Sequence, residues 1–207
     1  MKKFLALMIP SGLFYLYTVL CKRQLNDYFY KNFYLKSVLN HQQIELTIRR
    51  LANQILENSP GLRNTVIVGI QPRGIFLSER IVKALALEID PQQIQYGKLD
   101  ITFYRDDLRR ELHVPNQTDI RFSMEGKKVI LIDDVLYTGR TIRAALDALM
   151  DFGRPEKVEL MVLIDRRYSR ELPIQPDYTG KSIDSIVTQK VKVYWQEKDT
   201  KDEVVLI

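Results

Sequence analysis

Residues 129–141, VILIDDVLYTGRT, decide the fold of this chain. The stretch begins with four apolar residues, which indicate a strand buried on both faces. Two adjacent carboxylates, Asp133 and Asp134, end that run, and a short loop then leads into a helical pattern. Ligands of open α/β sheets bind just beyond the carboxyl ends of such strands. The stretch therefore predicts a parallel strand with a binding site at its end.

The side chains at this predicted site suit a sugar phosphate. Asp133 and Asp134 can accept hydrogen bonds from neighbouring hydroxyls, such as those of a ribose. Residues 138–141, Thr-Gly-Arg-Thr, offer backbone N–H groups, two hydroxyls and a helix N-terminus, which together cradle a phosphate. The alternative is a Mg²⁺ site of a receiver-type domain built on paired Asp residues, and the YTGRT that follows argues against it. We therefore expect a site for ribose 5-phosphate.

The rest of the chain predicts alternating strands and helices. Helices are expected over 44–56, 75–89 and 141–152, and strands over 65–70, 99–103, 129–132 and 158–164, with 187–195 and 203–207 closing the sheet. The polar stretch 105–126 is too long for an ordinary connection and predicts a hairpin or a mobile lid. The fold class that follows is α/β, with a mostly parallel central sheet flanked by helices and a small hood or lid.

Other predicted strand ends bring arginines to the same edge of the sheet. Residues 68–74, VGIQPRG, read as strand, turn and helix, with Arg73 in the turn and Gly74 where the backbone approaches a ligand. Arg166 follows the strand at 158–164, and Arg105 ends another strand at the lid, where Asp106 and Asp107 position it. We expect Arg73, Arg166 and the Asp pair to converge.

Composition indicates one globular domain. The chain has 207 residues, of which 45% are hydrophobic, and a single cysteine, which excludes an intramolecular disulfide. Its net charge is +5, and residues 1–36 hold six basic residues against one acidic residue, so the remainder is neutral. A neutral remainder argues against an overall nucleic-acid-binding charge, although a local patch stays open.

Three segments carry a resemblance to a known family. They are 133–155 (DDVLYTGRTIRAALDALMDFGRP), 100–108 (DITFYRDDL) and 171–181 (ELPIQPDYTGK). Over 40–207 the chain resembles the bifunctional pyrimidine operon regulator/uracil phosphoribosyltransferase family of type I phosphoribosyltransferases. Tyr137 stands where related enzymes for 6-oxopurines carry an acid, which favours a pyrimidine base. The family usually has Gly and then His-Arg after Asp-Arg, whereas 167–170 is one residue longer here.

The resemblance implies an enzyme that joins uracil to phosphoribosyl pyrophosphate (PRPP), giving UMP and pyrophosphate. PRPP binds with Mg²⁺, and no residue is assigned as a metal ligand. The 5-phosphate is expected on 138–141, the ribose hydroxyls on Asp133 and Asp134, and the pyrophosphate near Arg73 and Arg105. In this family the pyrophosphate loop commonly contains a cis peptide, so the Gln71–Pro72 bond is expected to be cis.

The predicted site residues form two groups. The catalytic residues are Asp133, Asp134 and Arg105. The substrate-binding residues are Pro72, Arg73, Arg105, Asp133, Asp134, Val135, Leu136, Tyr137, Thr138, Gly139, Arg140, Thr141, Arg166 and Val191. Outside the site, Arg167 and Arg170 are expected to be surface charges, and Tyr194 and Trp195 to be packing or dimer residues.

Residues 1–36 precede the resemblance and have no counterpart in the family. Residues 4–20 are uncharged and contain Pro10 and Gly12. A membrane anchor, a signal sequence and a mis-assigned start codon are the three interpretations. PRPP is an intracellular metabolite, so we favour the third, with a phosphoribosyltransferase domain at 37–207, a cytoplasmic location and no membrane partner.

Two alternatives to a uracil phosphoribosyltransferase stay open. One is an RNA-binding attenuation protein that senses UMP or PRPP with little catalysis, and the other is a phosphoribosyltransferase for another base. Binding of pyrimidine-operon mRNA needs a basic surface, which a homo-oligomer, dimer or higher, would assemble. Its candidate residues are Arg49, Arg50, Arg80, Lys83, Arg140 and Arg143.

Overall fold

The computed structural model describes residues 36–105, 115–184 and 189–207. Its main sheet has five strands, β2 (Thr65–Ile70), β3 (Gln95–Leu99), β4 (Lys128–Leu136), β5 (Lys157–Arg167) and β6 (Tyr178–Asp184). They lie in the order β3-β2-β4-β5-β6, and every neighbouring pair is parallel. The predicted α/β class with a mostly parallel central sheet is confirmed, and β4 is the central strand.

Three helices cover the sheet, α1 (His41–Asn58), α2 (Gly74–Leu85) and α3 (Arg140–Leu149). Asn40 starts α1 with a capping box, in which its side chain accepts from the backbone N–H of Gln43 and the Gln43 side chain accepts in return. Apolar residues of α1 and α2 pack on one face of the sheet and those of α3 on the other. Successive residues of β4 point to opposite clusters, so the strand is buried on both faces as expected.

A second, smaller sheet forms the hood. It consists of β1 (Lys36–Leu39), β7 (Val191–Tyr194) and β8 (Glu203–Leu206), paired antiparallel in the order β1-β8-β7. The short helix α4 (Gln196–Asp199) connects β7 to β8. The prediction that 187–195 and 203–207 close the main sheet is therefore wrong. The main sheet ends instead at β6, an edge strand whose half-exposed sequence YTGKSID has no continuous apolar run.

Two strand boundaries also differ from prediction. The strand expected at 99–103 is β3 at Gln95–Leu99, and a short 3₁₀ turn over Thr102–Tyr104 follows it, leaving Phe103 83% exposed. The central strand continues past Ile132, so Asp133 and Asp134 lie within β4 rather than after it.

Some predictions fall outside the described residues. Residues 1–35, with the leader, and 106–114, with Asp106, Asp107 and the body of the proposed lid, belong to this group, as does Val187. From the rest of the predicted lid, Asp119 forms an antiparallel bridge with Lys98 of β3. No helix in the described ranges is long and apolar enough to cross a membrane.

Candidate active site

The carboxyl ends of β2, β4 and β5 meet at one edge of the sheet, because these neighbouring strands are parallel. The turn after β2 contains a cis Gln71–Pro72 bond, as predicted. Gly74 begins α2 against the backbone of β4, and an added Cβ would lie 2.6 Å from the carbonyl oxygen of Ile132. This close approach of Gly74 to β4 sets the Pro72–Arg73 turn beside Asp133.

Asp133 and Asp134 are both buried at this edge. Burial, together with the charge of Asp134, holds the pKa of Asp133 well above its usual value. The backbone N–H of Asp134 donates to Asp133 Oδ1 at 2.9 Å, and this hydrogen bond opposes the rise in pKa. Burial also raises the pKa of Asp134, against the opposing charge of Arg73. Two adjacent buried carboxylates favour a ligand that brings hydroxyl donors or positive charge.

Arg73 contacts the Asp pair directly. Its Nε donates to Asp134 Oδ2 at 3.1 Å, and its guanidinium also donates to the carbonyl of Val193 and lies 3.7 Å from Asp199. The predicted convergence of Arg73 with Asp134 is therefore confirmed. The same contacts link β4 to β7 and α4 of the hood.

A cavity of about 260 Å³ lies at the end of β4 and begins at Val135, the residue after the Asp pair. Its lining consists of Arg105, residues 135–142 and Glu171. Gly139 precedes α3 with φ +95°, a conformation that favours glycine, and the N–H of Arg140 donates to Thr138 Oγ1 at 3.4 Å. The cavity thus has the loop, the hydroxyl and the helix N-terminus expected of a phosphate cradle.

Arg105 lies at this cavity, and its charge favours the ionised form of Asp133. This places Arg105 near both the predicted phosphate loop and the carboxylates.

Tyr137 and Arg166 contact each other across the end of β4. The Arg166 guanidinium carbon lies 3.9 Å from the centre of the Tyr137 ring. A guanidinium N–H of Arg166 donates to the carbonyl of Gln189 at 2.8 Å. Tyr137 is 37% exposed. Val191 lies on β7, partly buried against the core formed with α1 and α2.

Arg170 holds the backbone next to the cavity, a role that sequence reasoning missed. It donates to the carbonyl oxygens of Leu136, Tyr137, Arg166 and Ile174 and to the carboxylate of Asp165. The expectation of a surface charge is wrong for Arg170, because it lies in a run of charged residues that hid its role. Asp165, a carboxylate directly after the apolar run of β5, was the available signal. Arg167 is exposed and pairs with Asp184, as a surface charge does.

The candidate RNA-binding residues lie in separate parts of the structure. Arg49, Arg80 and Lys83 line a groove of about 460 Å³ between α1, α2 and α4. Arg80 there donates to Glu197 and Asp202. Arg140 pairs with Glu171, and Arg143 with Asp147, on the α3 side of the sheet.

Comparisons with known proteins agree with this geometry. Residues 35–198 match the model of the phosphoribosyl transferase domain. The chain is 48% identical over 171 residues to the bifunctional protein PyrR of a Picosynechococcus species, covering 82% of this chain and 96% of that protein. It is 46% identical over 171 residues to the bifunctional protein PyrR of a Bacillus cereus strain, covering 81% and 94%.

Solved structures show the same fold. The hypoxanthine phosphoribosyltransferase of Trypanosoma cruzi aligns with a TM-score of 0.63 at 20% identity, over 84% of this chain and 97% of that chain. An asparagine mutant from a study of an invariant aspartic acid in such enzymes aligns with a TM-score of 0.65 at 22% identity, over 83% and 92%. At these identities the likeness is one of fold.

Proposed function

The chain belongs to the phosphoribosyl transferase family and to its bifunctional PyrR members, and we propose that it transfers the phosphoribosyl group of PRPP to uracil. The products are UMP and pyrophosphate. The observation that carries the proposal is the pair of buried carboxylates, Asp133 and Asp134, followed along the central strand by a cavity at the N-terminus of α3. The catalytic domain proposed here spans residues 37–207, and it acts as a homo-oligomer.

Each part of PRPP has a partner in the site. The 5-phosphate lies on residues 138–141, at the N-terminus of α3. The ribose hydroxyls donate to Asp133 and Asp134, and the pyrophosphate lies near Pro72, Arg73 and Arg105. Mg²⁺ arrives as part of the substrate, since it prefers phosphate oxygens and water to an all-protein cage. The described ranges contain no group of three or more His, Cys, Asp or Glu side chains placed to hold a metal.

Uracil occupies the space next to Tyr137 and Arg166, with Val191 on the hood side. Aromatic and guanidinium planes stack on a planar base, and the two side chains already lie 3.9 Å apart. A nitrogen of uracil attacks C1 of the ribose as the bond from C1 to the pyrophosphate oxygen breaks. The electron pair leaves with the pyrophosphate, and the uracil nitrogen gives up its proton to solvent.

Catalysis here is mainly positioning and charge stabilisation. The ribose gains positive charge in the transition state, and the ionised Asp pair offsets it. Arg73 and Arg105 stabilise the negative charge on the departing pyrophosphate. Because Arg73 pairs with Asp134 in the structure, binding of the pyrophosphate draws it away from that carboxylate.

The test is UMP formation by the full chain with Mg²⁺-PRPP and uracil, with orotate and hypoxanthine as competing bases. We expect UMP as the main product. Equal use of orotate or hypoxanthine would contradict the base assignment. Tight binding of PRPP or UMP without turnover would favour a sensor.

Regulation through RNA is the second candidate function. The related proteins are named bifunctional, and the groove between α1, α2 and α4 carries exposed Arg49 and Lys83. Phosphate contacts make RNA binding strongly dependent on salt. Retention of a pyrimidine-operon leader RNA with UMP present, across a salt series, tests it. The double variant Arg49→Gln, Lys83→Gln should weaken retention, and Arg121→Gln, an exposed arginine outside the groove, should not.

A further inference from the structure

Asp199 is a carboxylate of the hood that lies beside Arg73, the arginine proposed for the pyrophosphate. Its Oδ2 is 3.7 Å from a guanidinium nitrogen of Arg73, and its side chain is 20% exposed. The same nitrogen of Arg73 donates to the carbonyl of Val193, and the Nε of Arg73 donates to Asp134 Oδ2 at 3.1 Å. The guanidinium of Arg73 therefore lies among acceptors of the protein itself, two from the hood and one from the central strand.

The hood holds the Asp199 carboxylate in place through contacts that do not involve Arg73. The backbone N–H of Trp195 donates to Asp199 Oδ2 at 3.0 Å, and the backbone N–H of Asp199 donates to the carbonyl of Trp195 at 2.6 Å. The Trp195 side chain is fully buried, and its ring centre lies 6.3 Å from that of Phe76 and 4.9 Å from the Arg80 guanidinium, so its packing prediction is confirmed. Because Asp199 is tied to a buried residue, Arg73, with its longer and more flexible side chain, is the partner that can move.

Pyrophosphate competes with the hood for the N–H groups of Arg73. Arg105, the other arginine proposed for the pyrophosphate, lines the cavity, whereas the guanidinium of Arg73 faces the hood and Asp134. To bind pyrophosphate, Arg73 has to give up part of its contact with the hood. A ligand that binds only one of two arrangements loses apparent affinity in proportion to the population of the other.

We propose that Asp199 is a positioning residue for Arg73, which holds the guanidinium against the hood and so weakens the binding of pyrophosphate. The proposal rests on the proposed function for the identity of the ligand. When pyrophosphate binds, the Arg73 guanidinium leaves Asp199. When pyrophosphate departs as a product, Asp199 attracts the guanidinium back. The carboxylate thus favours release of the product over its retention.

The test is the dissociation constant of Mg²⁺-pyrophosphate, measured by calorimetry on the full chain. Asp199→Asn keeps the size of the side chain and an oxygen that accepts from the Trp195 N–H, but it removes the charge. We expect this variant to bind Mg²⁺-pyrophosphate about fivefold more tightly, the size of one partly exposed ion pair. A residue with a merely structural role would weaken binding when changed. Unchanged or weaker binding in Asp199→Asn overturns the proposal.

Glu197→Gln is the matched control, because Glu197 lies on the same helix α4 and pairs with Arg80 rather than Arg73. Its affinity for Mg²⁺-pyrophosphate should stay within about twofold of wild type. Ribose 5-phosphate, which lacks the pyrophosphate, is the control ligand, and Asp199→Asn should leave its dissociation constant unaltered. Equal tightening in Glu197→Gln, or equal tightening of ribose 5-phosphate, would indicate a general effect of charge and overturns the proposal.

The dependence on Arg73 is measured with a double-mutant cycle. In an Arg73→Gln background, Asp199→Asn should no longer tighten the binding of Mg²⁺-pyrophosphate, since no guanidinium is held against the hood. Tightening as large as in the wild-type background would mean that Asp199 acts on the ligand directly, which overturns its role in positioning Arg73.

Failure of the proposed function gives a different result. A wild-type chain that makes no UMP from uracil and Mg²⁺-PRPP contradicts the transferase assignment. The affinities of the variants for Mg²⁺-pyrophosphate do not depend on turnover. In the expected order they would still support Asp199 as the residue that positions Arg73.

Discussion

The proposed function requires Asp133 and Asp134 to be charged, whereas the stability of the fold favours their neutral forms. Burial raises the pKa of both, so their charged forms are disfavoured in the folded chain before a ligand binds. A carboxyl group whose pKa is raised by folding stabilises the folded chain at a pH below the pKa in the unfolded chain. This stabilisation is lost as the pH rises through the pKa in the folded chain. At neutral pH the pair therefore destabilises the fold, and bound ribose hydroxyls offset that cost.

Asp133→Asn should raise the melting temperature at pH 7.5, because it removes a buried carboxyl group whose ionisation is disfavoured in the folded chain. We expect a rise of roughly a few degrees, together with weaker binding of Mg²⁺-PRPP. Thermal unfolding at pH 7.5 measures the first effect. Asp119→Asn, which changes an exposed carboxylate, is the control and should leave the melting temperature unaltered. A lower melting temperature for Asp133→Asn would count against the account of the pair.

Arg170 gives a second prediction at the scale of one residue. Arg170→Met leaves the carboxylate of Asp165 and several carbonyl oxygens without their donor, so we expect a loss of about 3–5 kcal/mol in the free energy of unfolding. Arg167→Met removes an exposed ion pair and should cost no more than about 1 kcal/mol. Urea denaturation of the two variants measures both values, and equal losses would contradict the role given to Arg170.

At the scale of elements, the turn between β4 and α3 depends on Gly139. Its φ is +95°, and a Cβ would lie 3.2 Å from Ile174 Cδ1. Gly139→Ala should therefore lower the free energy of unfolding by about 1–3 kcal/mol and weaken the binding of Mg²⁺-PRPP.

Gly126→Ala is the matched control for that change. Gly126 also has a positive φ, +63°, but open space surrounds its Cβ position. It should reduce stability without weakening the binding of Mg²⁺-PRPP. Equal losses of affinity for Mg²⁺-PRPP in the two variants would contradict the role of the Gly139 turn in binding.

The elements that could be predicted from sequence are those with a strong local pattern. β2 occupies the predicted residues because its six residues are all buried and apolar or small. β6 was missed because an edge strand need not carry an apolar run, and its partner β5 supplies the pairing. The hood strands were assigned to the wrong sheet since a short apolar strand does not encode which neighbour it joins.

The site residues that could be predicted from sequence also belong to a strong local pattern. Asp133, Asp134 and Arg73 could be found because they follow apolar runs at the carboxyl ends of parallel strands. Arg170 acts through contacts with residues distant in sequence, such as Leu136, which no local pattern encodes.

At the scale of the whole molecule, an ionic cluster at the opposite edge of the sheet joins three strands. Glu159 of β5 lies 2.7 Å from both Lys128 of β4 and Lys157, and it accepts from the hydroxyl of Tyr178 of β6. Burial alone would raise the pKa of Glu159, but these hydrogen bonds lower it to about 2. Its contribution to stability is present above the unfolded pKa, and it is lost as the pH falls from there through about 2.

Glu159→Gln should therefore destabilise the fold at neutral pH, and its difference from wild type should shrink as the pH falls below about 4.5 towards 2. Denaturation by urea across this pH range measures the difference. Glu156→Gln, at an exposed position nearby, should follow wild type throughout. A difference that stays constant with pH would rule out the ionic contribution of Glu159.

The most direct test of the central claim is the initial rate of UMP formation from uracil and Mg²⁺-PRPP, compared between the wild-type chain and Asp134→Asn. Because an ionised Asp134 is required against the positive charge of the transition state, the variant should lose about 10²–10³ in kcat while its circular dichroism spectrum is unchanged. Near-wild-type turnover in Asp134→Asn would contradict the assignment of the site.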